Sequence, residues 1–171
     1  MTRWLSEDEQ RTWRVFVQAT RMLMDQLERE VDELTEIPSP YFGILAQLSE
    51  APNRRLRMSD LAELSQSSRS RLSHFIARLE LRGWIRREAC ETDGRGSFAV
   101  LTDQGFSALE AAVPVHVEGV RRHFFDQFDS EQVKELRQII EPVLLHLLSI
   151  KGLAPEAVGL DDTFTKGLAA P

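Results

Sequence analysis

Apolar and polar positions follow one another along this chain with helical spacing almost throughout. In the first long stretch Trp13, Val17, Thr20, Met24, Leu27, Val31 and Leu34 recur at alternating steps of four and three, the spacing of a heptad seam. Phe16 and Leu23 widen the stripe, so this helix needs more than one neighbour, whether within the chain or across an interface. Ser6 followed by Glu9 has the form of a capping box, and Glu7 and Asp8 suit the positive end of a helix dipole, so the helix begins there. Ile37-Pro38-Ser39-Pro40 ends it and opens a second helix, with Ser39 as cap, Pro40 at the first helical position, and Phe42, Leu45 and Leu48 as its apolar side. Ala51-Pro52-Asn53 stops that helix, and Arg54-Arg55-Leu56-Arg57 leads onward.

From Met58 the pattern shortens. Ser59 is placed to cap a short helix whose apolar side is Leu61, Ala62 and Leu64. The polar run Ser65-Gln66-Ser67-Ser68 interrupts it, because such side chains compete for backbone hydrogen bonds, and Ser68 caps the helix that follows. Leu72, Phe75, Ile76 and Leu79 make one inward stripe, which turns Ser70, Ser73, His74 and Ala77 outward with Arg71 and Arg78 at the flanks. Gly83 ends this helix in the left-handed conformation. Trp84-Ile85-Arg86-Arg87-Glu88 then reads as a strand, Glu91 to Ser97 as a turn-rich tip, and Phe98-Ala99-Val100-Leu101 as the returning strand. Helix, turn, helix and hairpin in that order outline a winged helix-turn-helix. Its second helix suits a major groove, and Arg95, held by Asp93, suits a narrow minor groove.

Beyond the hairpin, Thr102 caps a helix with Phe106, Leu109, Val113, Val117, Val120 and Phe124 along one side, and Pro114 within it predicts a kink. Asp129-Ser130-Glu131-Gln132 is a second capping box. The helix it opens carries Val133, Leu136, Ile139, Ile140, Val143, Leu144, Leu147 and Leu148, a stripe too broad for a lone surface helix, with a bend expected at Pro142. The tail from Gly152 has no sustained periodicity and is expected to be mobile or weakly docked.

The region from Met58 to Gly105 resembles the multiple antibiotic resistance regulator (MarR) family of bacterial transcription factors. The likeness is carried by Leu61-Ala62-Glu63, Ser68-Arg69-Ser70, Arg78-Leu79-Glu80 and Arg82-Gly83, then by Asp93-Gly94-Arg95 in the wing and Leu101-Thr102-Asp103-Gln104-Gly105 at the exit into the next helix. A weaker likeness of helical pattern extends over Trp13 to Leu148. The resemblance implies a homodimeric repressor on a palindromic operator, with the N-terminal helix joining the C-terminal helices in the dimer interface. It also implies a small aromatic or amphipathic effector, which in similar proteins binds between the dimer helices and the DNA-binding lobe. Trp13, Phe16, Tyr41, Phe42 and the Pro114 region could line such a cleft, but core packing explains each equally well, so no effector site is assigned. Oxidant-sensing members are expected to carry a cysteine near the N-terminal helices, where this chain has none.

Composition sharpens this picture in two ways. The net charge of -6 disfavours a nucleic-acid partner when taken as a sum, yet Arg54 to Arg95 holds ten arginines against six acids, +4, leaving -10 on the remainder. A basic module on an acidic frame is the result. The single cysteine, Cys90, excludes an intrachain disulfide and is read as structural. No apolar run is long enough to span a bilayer, and Met1-Thr2-Arg3-Trp4 leads into an acidic helix start and not a signal peptide, so a soluble cytoplasmic protein is expected. No catalytic or phosphate-binding motif stands out, and His74, His116, His123 and His146 are scattered, so neither an enzyme nor a cofactor is expected.

The fold expected is mainly α with a small β-wing: a dimerisation helix over 6–36, a winged helix-turn-helix lobe over 39–101, C-terminal dimerisation helices over 102–150 and a flexible tail over 151–171. Base reading falls to Ser70, Arg71, Ser73 and His74, and the DNA backbone to Arg54, Arg57, Ser68, Arg69, Arg78 and Arg86. The wing contributes Asp93 and Arg95. The dimer interface is expected at Trp13, Val17, Met24, Val120, Phe124, Leu136, Ile140, Leu144 and Leu147. Two other classes fit the same pattern: a winged helix that docks a protein partner, and a ligand or metal sensor without direct DNA readout.

Overall fold

The computed structural model describes residues 2–90 and 96–155. The elements run α1 (Glu7–Leu34), α2 (Ser39–Glu50), β1 (Arg55–Arg57), α3 (Met58–Leu64), α4 (Arg69–Leu81), β2 (Ile85–Ala89), β3 (Ser97–Leu101), α5 (Asp103–His123) and α6 (Ser130–Lys151).

The helix starts follow from local hydrogen bonding. Ser6 and Glu9 exchange side-chain and backbone bonds in a complete capping box, and Asp129 and Gln132 do the same for α6. The Ser68 hydroxyl accepts from the Arg71 N–H at 3.2 Å, and Thr102 Oγ1 accepts from the Gly105 N–H at 3.0 Å. Two expected caps are corrected. Helix α3 begins at Met58 with Arg57 at its cap position and no side-chain cap, so Ser59 lies inside the helix, its hydroxyl donating to Asp60. Helix α2 begins at Ser39 itself with Pro38 at the cap, and the Ser39 N–H is satisfied instead by the carboxylate of Asp32 on α1. Helices α5 and α6 each run on through their prolines, Pro114 and Pro142.

A three-stranded antiparallel sheet, ordered β1-β3-β2, replaces the two-stranded hairpin that the sequence suggests. Ile85 pairs with Leu101 on one edge of β3, and Arg55 pairs with Val100 on the other. The added strand has a physical cause. Ala99, Val100 and Leu101 are buried, so the backbone of β3 needs partners on both sides. The expected wing tip falls in residues 91–95, so the assignments of Asp93 and Arg95 lie outside the described residues.

The core lies in the lobe formed by α2, α3, α4, the sheet and the first half of α5. Leu45, Leu48, Leu61, Leu72, Ile76, Leu79 and Leu109 are fully buried in it. Helix α5 enters this lobe by a close approach at Gly105, where an added Cβ would collide with the Trp84 carbonyl oxygen and come within 2.8 Å of Leu101 Cδ1. The Thr102 hydroxyl, donating to the Gly83 carbonyl oxygen at 2.7 Å, ties the same corner. At its far end α5 packs on α1, where the buried Glu30 carboxylate lies 2.7 Å from His123 Nε2 and accepts from Gln26 at 2.9 Å. Chiefly through these two bonds, and against the cost of burial, the Glu30 carboxyl titrates below its ordinary value.

Beyond that contact the frame is open. Helix α1 leaves Trp13, Phe16 and Met24 exposed, and α6, which touches the other elements only sparsely, exposes Ile139, Val143, Leu147 and Ile150. Of the residues assigned to a dimer interface, Trp13, Met24 and Leu147 are exposed, while Val17, Val120, Phe124, Leu136, Ile140 and Leu144 are half-buried within the chain.

Gly105→Ala is expected to lower stability by about 2 to 3 kcal/mol, because the obstructing atom is backbone that cannot turn aside. Gly43→Ala, on a helical position with nothing within 4 Å of the new Cβ, is expected to be neutral or to stabilise by up to about 1 kcal/mol; chemical denaturation of both variants checks the contrast. The depressed pKa of Glu30 has a definite sign in stability. Its contribution is complete above the ordinary carboxylate value near 4.5 and is lost as pH falls through the lower value of the folded state. Melting temperature followed from pH 7 downward should therefore fall more steeply in acid for the native chain than for Glu30→Gln.

Candidate nucleic-acid interface

Helix α4 sits in the lobe as the sequence pattern requires, with Leu72, Ile76 and Leu79 fully buried and Phe75 partly so. Since a residue advances the helix by about 100°, that burial fixes which side chains face away. Ser70, Arg71, His74, Ala77 and Arg78 are exposed, and Ser68 and Arg69 are exposed at the N-terminal end. The first two turns of α4 therefore present hydroxyls, an imidazole and guanidinium groups toward the positive end of a helix dipole, a surface suited to phosphates and to base edges. Arg71 also lies over the Phe75 ring at 5.4 Å, which steadies it along the helix flank.

Ser73 differs from its neighbours on this helix. It is half-buried at the edge of α4 that faces β2, where Arg87 Nη2 donates to its carbonyl oxygen at 2.9 Å and to its hydroxyl at 3.3 Å. Arg87 Nε also pairs with Glu80 at 3.2 Å, and the other Glu80 oxygen accepts from the Arg87 backbone N–H at 3.1 Å. Arg87 thus joins the wing strand to the helix, a role the sequence reading left unassigned. Strand alternation carries the signal: Arg87 shares a face with buried Ile85, the face that meets α4, whereas Arg86 and Glu88 take the opposite side.

The other arginines divide by how they are held. Arg54 lies 3.6 Å over the Phe106 ring and pairs with Asp103 at 3.2 Å, which ties it to the start of α5. Arg57 donates to Cys90 Sγ at 3.2 Å and faces the Phe98 ring, so it braces the base of the wing, with Cys90 buried beside it. Arg86 pairs with Glu88, and Arg55 pairs with Glu88 at 3.3 Å while stacking on Phe98. The guanidinium groups of Arg69 and Arg78 have no hydrogen-bond or ion-pair partner among the described residues. The structure therefore brings Ser68, Arg69, Ser70, Arg71, His74 and Arg78 onto one surface, sets Ser73 at its edge, and places Arg54, Arg57 and Arg86 in contacts with the sheet and α5.

No metal centre or membrane helix competes with this surface among the described residues: no three potential ligating side chains converge, and no helix is long and apolar enough to cross a membrane. His116 packs against Phe42 at 4.7 Å, where burial lowers its pKa, and His123 is bonded to Glu30.

Comparison with known proteins agrees with this geometry. Residues 35–96 match the model of the MarR family. The chain is 45% identical to Sco3205, a MarR family transcriptional regulator from Streptomyces coelicolor whose structure was solved in complex with DNA; the match covers 84% of this chain and 90% of that one, with a TM-score of 0.77. AbsC, a MarR family transcriptional regulator from the same organism, is 42% identical over 86% of this chain and 99% of its own, also at a TM-score of 0.77. The HTH-type transcriptional regulator PecS of Dickeya dadantii is 31% identical over 130 residues, covering 75% of this chain and 77% of PecS. With the capped, outward-facing α4, the antiparallel wing and relatives of this identity and coverage, the chain belongs to the MarR family of transcriptional regulators.

Proposed function

We propose that this protein is a soluble cytoplasmic regulator that binds duplex DNA sequence-specifically as a homodimer, with α4 of each protomer in a major groove, and represses the genes beside a palindromic operator. One observation carries the reading: the inner stripe of α4 is fully buried while its outer face presents Ser70, Arg71, His74 and Arg78 to solvent, so a rigid polar and basic ridge stands out from the lobe. The DNA complex of Sco3205, at 45% identity, supports the same assignment.

On this reading Ser70, Arg71, Ser73 and His74 meet base edges, and Ser68, Arg69 and Arg78 fix position on phosphates. Arg54, Arg57 and Arg86 act mainly as braces of the lobe, and reach phosphates only by leaving the partners described above. Arg95, oriented by Asp93, probes the minor groove. Exposed apolar side chains on α1 and α6 favour the dimer, since Trp13, Met24, Val143 and Leu147 would otherwise face water on a frame with little internal contact of its own. Two recognition helices paired in this way call for half-site centres about 34 Å apart, one turn of the duplex. A small-molecule effector belongs to the proposal only as a ligand that favours a DNA-incompetent spacing of the two helices.

Titration of the purified protein against fragments of its own upstream region, with a scrambled duplex as control, tests the reading. Saturable binding of two chains per site, with a strong preference for one palindrome and a steep loss of affinity as salt rises, is expected. Arg78→Ala should weaken binding about equally on all duplexes and reduce the salt slope by roughly one, whereas Ser70→Ala should change the base preference. Equal and feeble binding to every duplex would favour a protein partner for the winged helix instead.

A further inference from the structure

The contact between Arg87 and Ser73 determines more than the position of the wing. A serine hydroxyl has one hydrogen to donate and two lone pairs to accept with, so by itself it recognises donor and acceptor base edges alike. A guanidinium group can only donate. Arg87 Nη2, 3.3 Å from the Ser73 hydroxyl, therefore occupies an acceptor position on that oxygen and directs the hydroxyl hydrogen elsewhere. The arginine is not free to turn away, because Glu80 holds its Nε at 3.2 Å and its backbone N–H at 3.1 Å, and the Ser73 carbonyl oxygen accepts from the same Nη2 at 2.9 Å.

Within a helix, serine commonly sends its hydrogen back to the carbonyl four residues earlier. Ser65 does so, donating to the Leu61 carbonyl oxygen at 2.6 Å. Ser73 donates to no group among the described residues, Arg69 included, so its hydrogen is available to an incoming acceptor. Glu80, the one acid on α4, is neutralised by the same guanidinium and does not compete for that hydrogen.

We propose that Arg87 is a positioning residue that biases Ser73 toward donating, by filling one of its two acceptor positions and turning its hydrogen away from the guanidinium, so that Ser73 favours a base presenting an acceptor in the major groove. The acceptors available are purine N7, guanine O6 and thymine O4, and a cytosine edge with its N4 amino group is disfavoured. The inference rests on the reading that α4 enters the major groove, and it adds the polarity of one contact to that reading.

Base analogues that delete one acceptor at a time test it. The preferred duplex is substituted position by position with 7-deazapurines, which lack N7, with 2-aminopurine, which lacks the guanine O6, and with 5-methyl-2-pyrimidinone, which lacks the thymine O4. The native protein should lose about tenfold in affinity at one acceptor in each half-site, within the range of a specific base contact. Ser73→Ala should bind the unmodified duplex about that much more weakly and lose nothing further at the same position. Arg87→Ala should keep the dependence on other positions but respond less to that acceptor's removal and tolerate cytosine there. Glu80→Gln, which loosens the guanidinium while leaving the strand intact, should fall between them. That position-specific coupling is a readout that loss of stability would not produce. If the native protein prefers no duplex, the DNA reading itself fails. If it binds one duplex specifically but no acceptor position is coupled to Ser73, or the coupled group is a base amino donor, the donor assignment is overturned and the DNA reading stands.

Discussion

Burial of Leu72, Ile76 and Leu79 on one side of α4 is the constraint on which the rest of the lobe depends, since each of the three loses all contact with solvent. A fully buried aliphatic side chain of this size is worth about 1.5 to 3 kcal/mol relative to an exposed one. Rotating the helix by a single residue would exchange that stripe for polar neighbours. The direction in which Ser70, His74 and Arg78 point is thus set by the core and not by a ligand. A surface held this firmly can meet a duplex with little reorganisation, which preserves binding energy for the contacts themselves.

The sheet and α5 extend that constraint outward. Arg87 and Glu80 fasten β2 to α4, and Thr102 with Gly105 fastens the sheet corner to the start of α5. A displacement of α5 must therefore move the wing and the recognition helix together or break this corner. At the other end of α5, the Glu30 and His123 pair joins the same helix to α1. Helix α5 thus joins the lobe to the apolar frame, alongside the contact that the Asp32 carboxylate of α1 makes with the Ser39 N–H of α2.

Much of this was legible in the residues. The Ser6, Ser68, Thr102 and Asp129 caps, the left-handed Gly83 and the inward stripe of α4 follow from local rules, and the structure has each of them. The misses share a cause: they depend on contacts between elements. Strand β1 is only Arg55–Arg57, too short to show alternation, and it exists because buried β3 needs a second hydrogen-bonding edge. Ser39 and Ser59 are good capping residues by composition, yet tertiary contacts and the preceding residue set the helix starts elsewhere. Arg54 and Arg57, assigned from sequence to the DNA backbone, have partners distant in sequence, Phe106 with Asp103 and Cys90 with Phe98, which leave no local signal. Arg87 was hidden for the same reason, although its parity with Ile85 along the strand pointed toward α4.

The central claim is that the outward face of α4 lies in the major groove of each half-site. Leu81 offers a direct probe, since it is on that face, 90% exposed, and three residues beyond Arg78, the last position on α4 assigned to DNA contact. A chelated iron cleavage reagent attached through Leu81→Cys, in a Cys90→Ser background, reports where this helix sits on the bound duplex. The account predicts two clusters of strand cleavage in the major groove, related by the symmetry of the operator and centred about one helical turn apart. Specific binding without cleavage, or with cleavage outside the half-sites, would contradict it.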